Sequence, residues 1–353
     1  MNIVHICSVT PKPEGIKTVL KKLSFKQREQ GNNVRVFSLQ LGEPEFQVVN
    51  TIKGFNAEIK SNRPDIVIFH SIYFLLYIPF VISLWLKKIP YAIQLHGALS
   101  AENYKVSHKK KLIANFLFYN RFIKQAKSII YLNINEYKKS IVKEINPNYT
   151  IIPNGCDLIS DNHIKQEPND PIKIVYIGRI ERVHKGLDIL LDAIELISNS
   201  DSGKKVRFTF YGDGSDSEVI WFKEQIKQVD QIAEYKGPIY GKQKELAIRE
   251  SDIFILTSRS EGMPMGVLEA LSYGLPCILT PETNIGEEVK IANAGWLTDT
   301  NADQIASVIN KSISEYLIEH DSLRHNAIRL SNKYNWEDIA TFSVDEYQRI
   351  VNN

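Results

Sequence analysis

Short apolar runs alternate with longer helical stretches, and this alternation constrains the fold more than any other feature of the sequence. In the first half, strand-like runs are predicted at 2–7, 34–39, 65–70, 91–96 and 128–132. Between the first two runs, apolar residues recur at helical spacing at positions 16, 19, 20 and 23. Strands joined by crossover helices pair in parallel, so the pattern predicts an α/β fold of parallel sheets covered by helices.

A polar segment near residue 165 divides the chain. Residues 158–172 lose the periodicity and carry Pro168 and Pro171 among Asp and Asn residues, a composition typical of a linker. A second strand–helix series follows, with strand-like runs at 172–177, 207–211, 253–257 and 277–280. We therefore predict two Rossmann-like domains, residues 1–165 and 166–334, each long enough to bury a core.

The formal net charge of +2 combines two halves of opposite sign. Residues 1–160 contain 22 basic and 10 acidic side chains, and the remainder contains 21 basic and 31 acidic ones. The basic half favours an anionic membrane surface or a phosphate-bearing acceptor as partner, and a solvated surface without a partner is the alternative. Nucleic acid is not expected, because no binding module accompanies the charge.

The cysteines and the apolar segments predict a cytoplasmic protein. Cys7, Cys156 and Cys277 are few and widely spaced, which favours free thiols in a reducing compartment. No signal peptide is visible. The apolar run 72–86 is shorter than the ~20 residues of a membrane span and contains Pro79, so we predict a buried crossover helix.

The first candidate site is the segment YIGRIERVHKGLD, which begins at Tyr176. A strand runs into Gly178, and a short loop then bears Arg179 and Lys185 before Gly186 and an amphipathic helix. Ligands of parallel α/β sheets bind at the carboxyl ends of strands. A guanidinium and an ammonium at such a place suit a diphosphate, and an ordinary basic surface loop is the alternative.

The second candidate site is the segment SEGMPMGVLEALSYG, between the last two predicted strands. Glu261, Gly262 and Met263 form a loop, Pro264 suits a first helical turn, and Glu269 lies on the helix. Loop N–H groups and the positive helix end favour an anion. Glu269 suits the paired hydroxyls of a ribose, and Glu261 could face a sugar. The alternative makes both glutamates solvated residues at a helix start.

Together these segments, a strand-GR-loop-KG motif and then E-x7-E, resemble glycosyltransferase family 4. The resemblance implies a GT-B fold, in which two Rossmann-like domains face each other across a cleft, and a terminal helix at about 335–353 that returns to the first domain. Other segments resemble further family motifs in the expected order, namely Pro11–Leu23, Leu95–Gly97, Ile152–Asp157, Tyr211–Gly214 and Tyr334–Glu337.

The resemblance also implies roles for individual residues. Arg179 and Lys185 would hold the diphosphate of a UDP-, GDP- or other nucleoside diphosphate sugar, with no cofactor and no metal. Glu269 would bind ribose and Glu261 would lie near the donor sugar, which His96 would also contact. Backbone contacts to phosphate and sugar would come from Gly15, Gly178, Gly262, Met263 and Pro264. Glu14, next to Gly15, departs from the paired glycines that the family often has, and a carboxylate beside phosphates would repel them.

The implied reaction is retaining transfer of a sugar to an acceptor hydroxyl. The basic, aromatic region Lys109–Lys127, with Phe118 and Phe122, suits an anionic membrane, so a lipid-linked saccharide acceptor of surface polysaccharide biosynthesis is preferred. A helix packed on the sheet is the alternative. Two rival functions stay open, a non-catalytic partner subunit and a sugar-nucleotide epimerase or hydrolase. Dehydrogenase activity is disfavoured, because no G-x-G-x-x-G follows the first strand.

Overall fold

A computed structural model describes residues 1–8, 15–40, 44–72, 76–97, 118–159 and 167–352. Glu14 with the prolines of the first loop, residues 160–166 of the expected linker and residues 109–117 of the basic region lie outside these ranges. The chain divides into two compact units, Met1–Gly155 with Trp336–Asn353, and Cys156–Asn335. Among the described helices, none combines the length and the hydrophobicity needed to cross a bilayer.

The first unit contains a parallel sheet whose central strands are almost wholly buried. Continuous apolar runs of this kind are typical of parallel strands covered on both faces. The described strands are β1 (Asn2–Cys7), β2 (Asn33–Ser38), β3 (Gln47–Val48), β4 (Ile66–His70), β5 (Tyr91–Gln94), β6 (Ser128–Tyr131) and β7 (Tyr149–Ile151). Their order, β3-β2-β1-β4-β5-β6-β7, is the Rossmann order with one strand added. Strands β2 and β3 lie on one side of β1 and strands β4 to β7 on the other, so the order of strand addition reverses between β1 and β4.

The second unit repeats this topology. Its described strands are β8 (Ile172–Ile177), β9 (Val206–Tyr211), β10 (Ala233–Tyr235), β11 (Ile253–Leu256), β12 (Cys277–Leu279) and β13 (Gly295–Leu297). They pair in parallel in the order β10-β9-β8-β11-β12-β13, so the reversal lies between β8 and β11. Ligands of open α/β sheets bind at the carboxyl ends of the strands beside such a reversal. The predicted α/β class is therefore confirmed, and both candidate segments follow the two strands at this point.

Helices connect the strands and fill both units. They are α1 (Gly15–Glu29), α2 (Ile52–Ser61), α3 (Tyr77–Lys87), α4 (Asn120–Gln125), α5 (Ile134–Lys139), α6 (Leu187–Ser198), α7 (Asp216–Gln225), α8 (Gly241–Arg249), α9 (Met265–Ser272), α10 (Gly286–Ile291), α11 (Ala302–Asn332) and α12 (Trp336–Asn352). The apolar run around Pro79 forms α3, a crossover helix between β4 and β5 as predicted.

The C-terminal helix α12 belongs to the first unit, where it packs on α1. Gln27 of α1 donates a hydrogen bond from Nε2 to Ser343 Oγ at 2.8 Å. One turn later, Gln30 Nε2 donates to Thr341 Oγ1, also at 2.8 Å. At the start of α12, a Cβ on Gly155 would lie 2.6 Å from the Trp336 ring, so this position requires glycine.

The boundary between the units differs from the expected one at 165/166. The first unit ends at Gly155, because the next residue is held by the second unit. Cys156 donates a backbone hydrogen bond to Tyr334 O at 2.6 Å and pairs with Asn335 in a short parallel bridge.

The described part of the basic, aromatic region packs on the protein core. Phe122 of α4 is fully buried, with its ring 5.4 Å from Tyr91 and 5.2 Å from Phe69, measured between centroids. Phe118 packs at 5.8 Å against Trp85. Phe122 therefore cannot face a membrane, because strands β4 and β5 already cover its ring, whereas Phe118 is half-buried against α3. Contact of this region with a membrane stays a prediction. The exposed side of α4 is cationic.

Candidate functional site

The loop after β8 is held in place by its own strand. Tyr176 is buried, and its hydroxyl donates a hydrogen bond to Arg179 O at 2.7 Å. A Cβ on Gly178 would lie 2.8 Å from that hydroxyl, which explains the glycine at this position. The loop therefore leaves the strand in one defined direction.

Gly186 ends the loop and brings it against the end of β11. Its φ of +64° lies in the left-handed region, and a Cβ would come within 2.1 Å of Thr257 O. Only glycine avoids both the strained conformation and the clash. The contact places the preceding residue, Lys185, beside the loop that follows β11.

Lys185 and Glu261 form an ion pair at the reversal point, between Nζ and Oε1. The two side chains are 12% and 11% exposed, so the pair is largely shielded from solvent. Ser258 Oγ donates a second hydrogen bond to the same carboxylate oxygen at 2.6 Å. Burial raises the pKa of Glu261, but the charge of Lys185 and these hydrogen bonds outweigh it, and the net pKa lies below its ordinary value. Glu261 is thus an anion at neutral pH.

Arg179 is an exposed cation of the same loop. Its side chain is 64% exposed, and its Nε lies 3.1 Å from Glu181 Oε2. Lys185, by contrast, points inward. The two predicted phosphate ligands therefore share a loop, with one of them fixed in a buried ion pair and the other accessible to solvent.

The loop after β11 is braced by the segment that follows β12. Asn284 Nδ2 donates to Glu261 O at 2.5 Å and to Gly262 O at 3.3 Å. The Glu261 amide donates to Glu282 O at 3.0 Å. We expected the loop N–H groups to bind an anion, but this one is already occupied. Pro264 also differs from the prediction. It precedes the helix with ψ of 119°, and α9 begins at Met265.

Glu269 lies on α9 and pairs with a residue that the sequence did not single out. Its Oε2 accepts a hydrogen bond from Lys244 Nζ of α8. A lysine four residues into a helix carries no local signal, since only the packing of α8 beside α9 brings the two side chains together. Glu269 and Glu261 therefore each neutralise a different lysine.

Two further features at this point were not predicted, one ion pair and one buried carboxylate oxygen. Arg259 donates two hydrogen bonds to the carboxylate of Asp188, at 2.7 and 3.0 Å, and ties the loop after β11 to α6. Oε2 of Glu282 is buried and has no hydrogen-bond partner among the described residues. The signal for Glu282 is its position three residues after the end of strand β12, where polar side chains gather in such sheets.

His96 lies at the carboxyl end of β5 in the first unit. It has a left-handed φ of +52°, followed by Gly97 at +77°. The turn is held by Glu136, whose Oε1 accepts the Gly97 amide and whose Oε2 accepts the Leu132 amide, both at 2.6 Å. Burial raises the pKa of Glu136 to about 6, although both hydrogen bonds lower it. A strained histidine held by its surroundings is typical of a functional site.

Two buried histidines, His70 and His5, extend the contacts of His96 into the first unit. His96 Nε2 lies 2.8 Å from Nδ1 of His70, and Nε2 of His70 lies 2.9 Å from Nδ1 of His5. His5 and His70 are buried on the neighbouring strands β1 and β4. Their sequence separation hides the contact, which only the strand order β1-β4-β5 reveals.

Gly15 is the exposed first residue of α1. A Cβ there would meet no atom of the described residues within 4 Å, and the preceding residues of the loop lie outside the described ranges. Its approach to a phosphate therefore stays a prediction. Among the described residues, no group of His, Cys, Asp or Glu is arranged to hold a metal ion.

Comparison with known proteins shows that the chain is similar to glycosyltransferases. Residues 171–315 match the family model "Glycosyl transferases group 1". An Escherichia coli UDP-Gal:alpha-D-GlcNAc-diphosphoundecaprenol alpha-1,3-galactosyltransferase is 29% identical over 50% of this chain and 48% of its own length. The sulfoquinovosyl transferase SQD2 of Arabidopsis thaliana is 28% identical over 38% of this chain and 26% of its own length.

The matched part of the chain thus spans less than half the length of these two relatives. Among solved structures, Anabaena HepE in complex with UDP-glucose superposes with a TM-score of 0.77, at 18% identity, over 98% of this chain and 99% of that one. The likeness shows the fold. The chain is therefore glycosyltransferase family 4-like, with residues 171–315 matching the glycosyl transferases group 1 family within a GT-B fold.

Proposed function

We propose that the chain is a retaining glycosyltransferase that moves a sugar from a nucleoside diphosphate sugar to an acceptor hydroxyl. The observation that carries the proposal is the ion pair of Lys185 and Glu261 at the reversal point of the second sheet. It joins the KG motif to the first glutamate of E-x7-E across 76 residues of sequence.

Lys185 supports the proposal through its remaining donors. An ammonium has three N–H groups, and Glu261 engages one of them. The others can donate to a diphosphate, while the exposed Arg179 adds a second cation from the same loop. Positive charge at the leaving diphosphate lowers the barrier, because negative charge develops there as the bond to the sugar breaks.

The glutamates suit hydroxyl groups of the donor. Oε1 of Glu261 is occupied by Lys185 and Ser258, and Oε2 makes no hydrogen bond among the described residues. An ionised carboxylate only accepts hydrogen bonds, so Oε2 suits a sugar hydroxyl. Glu269, which pairs with Lys244 through one oxygen, keeps the other for the ribose.

Retention of configuration fits a reaction on one face of the sugar. Glu261 is tied to Lys185 and Ser258, which makes it a poor covalent nucleophile. In the proposed step, the bond from the anomeric carbon to the diphosphate oxygen breaks, and a bond to the acceptor oxygen forms on the same face. The acceptor proton passes to the departing diphosphate. A double displacement would need a second carboxylate as nucleophile on the opposite face of the sugar.

The comparisons favour a uridine nucleotide and a lipid-linked acceptor. HepE was solved with UDP-glucose, and the E. coli relative is named for transfer of galactose to a diphosphoundecaprenol-linked sugar. We propose the same classes of donor and acceptor for this chain, in the synthesis of a surface polysaccharide. Product analysis with and without acceptor separates transfer from epimerisation or hydrolysis, and binding of donor without any product would indicate a non-catalytic subunit.

The test compares three cations of one loop. Arg179→Ala and Lys185→Gln should each lower kcat/KM for UDP-sugar transfer by about a hundredfold or more, since each removes charge at the leaving group. Gln is preferred to Ala at position 185, because it can still donate to the buried Glu261.

Arg182→Ala is the matched control. Arg182 is exposed in the same loop but lies over the Trp221 ring, 5.1 Å from its centroid, and its loss should leave turnover unchanged. Near-normal turnover in both Arg179→Ala and Lys185→Gln would refute the proposed role of the loop.

A further inference from the structure

A continuous hydrogen-bonded chain of side chains runs from helix α12 to His96. It begins at Ser343, passes through Gln27 of α1, and continues through His5 and His70. Each link is 2.8 to 3.0 Å long. Ser343, Gln27, His5 and His70 are buried, and His96 is partly buried.

The direction of the chain is set at its inner end. Ser343 Oγ donates its single proton to Ala340 O at 2.7 Å, as serines within helices often do. The same oxygen must therefore accept from the Gln27 amide, which places Nε2 of Gln27 toward Ser343. Its Oε1 then faces His5 Nε2 at 3.0 Å and can only accept.

All three imidazoles are neutral at physiological pH. Burial lowers the pKa of His5 to about 4 and that of His96 to about 4, and it holds the pKa of His70 well below its ordinary value. A neutral imidazole carries one N–H and one bare nitrogen. The position of the proton on one ring therefore decides the position on the next.

The orientation of Gln27 determines which nitrogen carries the proton in each histidine ring, starting with His5. His5 must carry its proton on Nε2 to donate to Gln27 Oε1, so its Nδ1 is bare. His70 then donates from Nε2 to His5, and its own Nδ1 is bare. His96 in turn donates from Nε2 to His70, which leaves Nδ1 of His96 bare. Nδ1 of His96 has no hydrogen-bond partner among the described residues.

We propose that Gln27, His5 and His70 are positioning residues that lock His96 in its Nε2–H tautomer, so that its bare Nδ1 accepts a hydrogen bond from a hydroxyl of the bound substrate. The substrate part of this inference rests on the proposed function. A fixed acceptor selects a group that donates, such as a sugar hydroxyl. It disfavours a carboxylate or carbonyl oxygen at the same place, because two lone pairs would then face each other.

The tautomer can be read without any substrate. In the full chain with 15N-labelled histidine, the ring nitrogens of His96 should show Nε2 protonated and Nδ1 bare at pH 7. A protonated Nδ1 on His96 in the unaltered protein would overturn the proposal. Addition of UDP-glucose should shift the Nδ1 resonance in the direction of an accepted hydrogen bond, and an unchanged resonance on saturation would overturn the substrate part.

The matched variants are Gln27→Met and Gln30→Met. Both remove a glutamine that donates a hydrogen bond to α12, but only Gln27 contacts His5. Gln27→Met should give a mixture of His96 tautomers and lower kcat/KM for UDP-glucose by about tenfold, the value of one hydrogen bond to a substrate. Gln30→Met should change neither. A single Nε2–H tautomer in Gln27→Met would contradict the positioning role.

A conservative change at His96 separates its acceptor from its packing. Asn offers an acceptor oxygen near the place of Nδ1 and tolerates left-handed φ. His96→Asn should therefore keep more activity than His96→Leu, and equal losses in the two would contradict an acceptor role. A protein with the expected tautomer that transfers no sugar would refute the proposed function and leave the tautomer assignment standing.

Discussion

His5 shows how one buried side chain couples the fold to pH. The ring contacts His70 of β4, Gln27 of α1 and Tyr347 of α12, and it is neutral, because burial lowers its pKa from an ordinary 6.5 to about 4. In the unfolded chain the same ring is protonated below about pH 6.5. A fall in pH below about 6.5 therefore favours the unfolded state.

We expect the first unit to lose stability as the pH falls from 7 to 4. The contribution of His5 is fully present above pH 6.5 and is lost as the pH falls through its folded pKa, about 3 kcal/mol in all. His96 and His70 act in the same direction. Urea unfolding at pH 7, 6 and 5, monitored by amide hydrogen exchange in β1, measures the loss of stability.

Glu136 has the opposite effect on stability, which partly offsets the loss caused by the histidines. Its pKa is raised from 4.5 to about 6, so its folded form binds the proton more tightly and acid stabilises it by about 2 kcal/mol between pH 6 and pH 4.5. Three histidines outweigh one carboxyl group, so the net change stays a loss. A midpoint for β1 exchange that does not move between pH 7 and pH 5 would contradict neutral burial of the histidines.

At the scale of elements, the site depends on how two loops meet at neighbouring strands. Gly186 allows the loop after β8 to touch the end of β11, and Lys185 reaches Glu261 as a consequence. The glycine of the KG motif is therefore a packing requirement, in addition to any contact with a ligand.

Gly186→Ala should destabilise the second unit by more than about 3 kcal/mol, since it combines left-handed φ with a clash against a backbone oxygen that cannot yield. Gly237→Ala is the control. Gly237 has a φ of +77° but open space around its Cβ position, so it should cost only about 1–2 kcal/mol. Urea midpoints compare the two, and equal costs would show that the Thr257 contact is not rigid.

The sequence predicted those elements whose signal is local. Strand β1 and strand β8 were predicted with the bounds they have, because six apolar-rich residues suffice for a period. The short strands β3, β7, β10 and β13 were missed, since two or three residues are too few to show one. Lys244 and Glu282 were also missed, because their relation to the site arises from the packing of α8 and of the segment after β12.

The histidine chain escaped prediction for a similar reason. His5, His70 and His96 are 65 and 26 residues apart, and of the three only His96 lies in a motif that the sequence singled out. Their contact requires the order β1-β4-β5, which apolar periodicity does not specify. Sequence motifs thus located the loops of the site, whereas the buried network behind His96 required the sheet topology.

At the scale of the whole molecule, the two units carry opposite charge. The first unit has 23 basic and 13 acidic residues, and the second has 20 and 28. Arg121 and Lys124 on α4, and Lys127 just after it, are exposed, while Phe122 of α4 is buried. Attraction of the first unit to an anionic membrane would therefore be electrostatic and sensitive to salt.

We expect the full chain to float with vesicles that contain anionic lipid at low salt and to be released at high salt. Each cation near the surface contributes about 1 kcal/mol, so reversing Lys124 and Lys127 to Glu should weaken partition by more than about twentyfold. The matched control reverses the charge of Lys205 and Lys227, which are exposed in the acidic second unit. This change should have little effect on flotation. Equal losses in the two double variants would show that net charge alone drives binding. An absence of flotation at low salt would favour an acceptor that is not bound to a membrane.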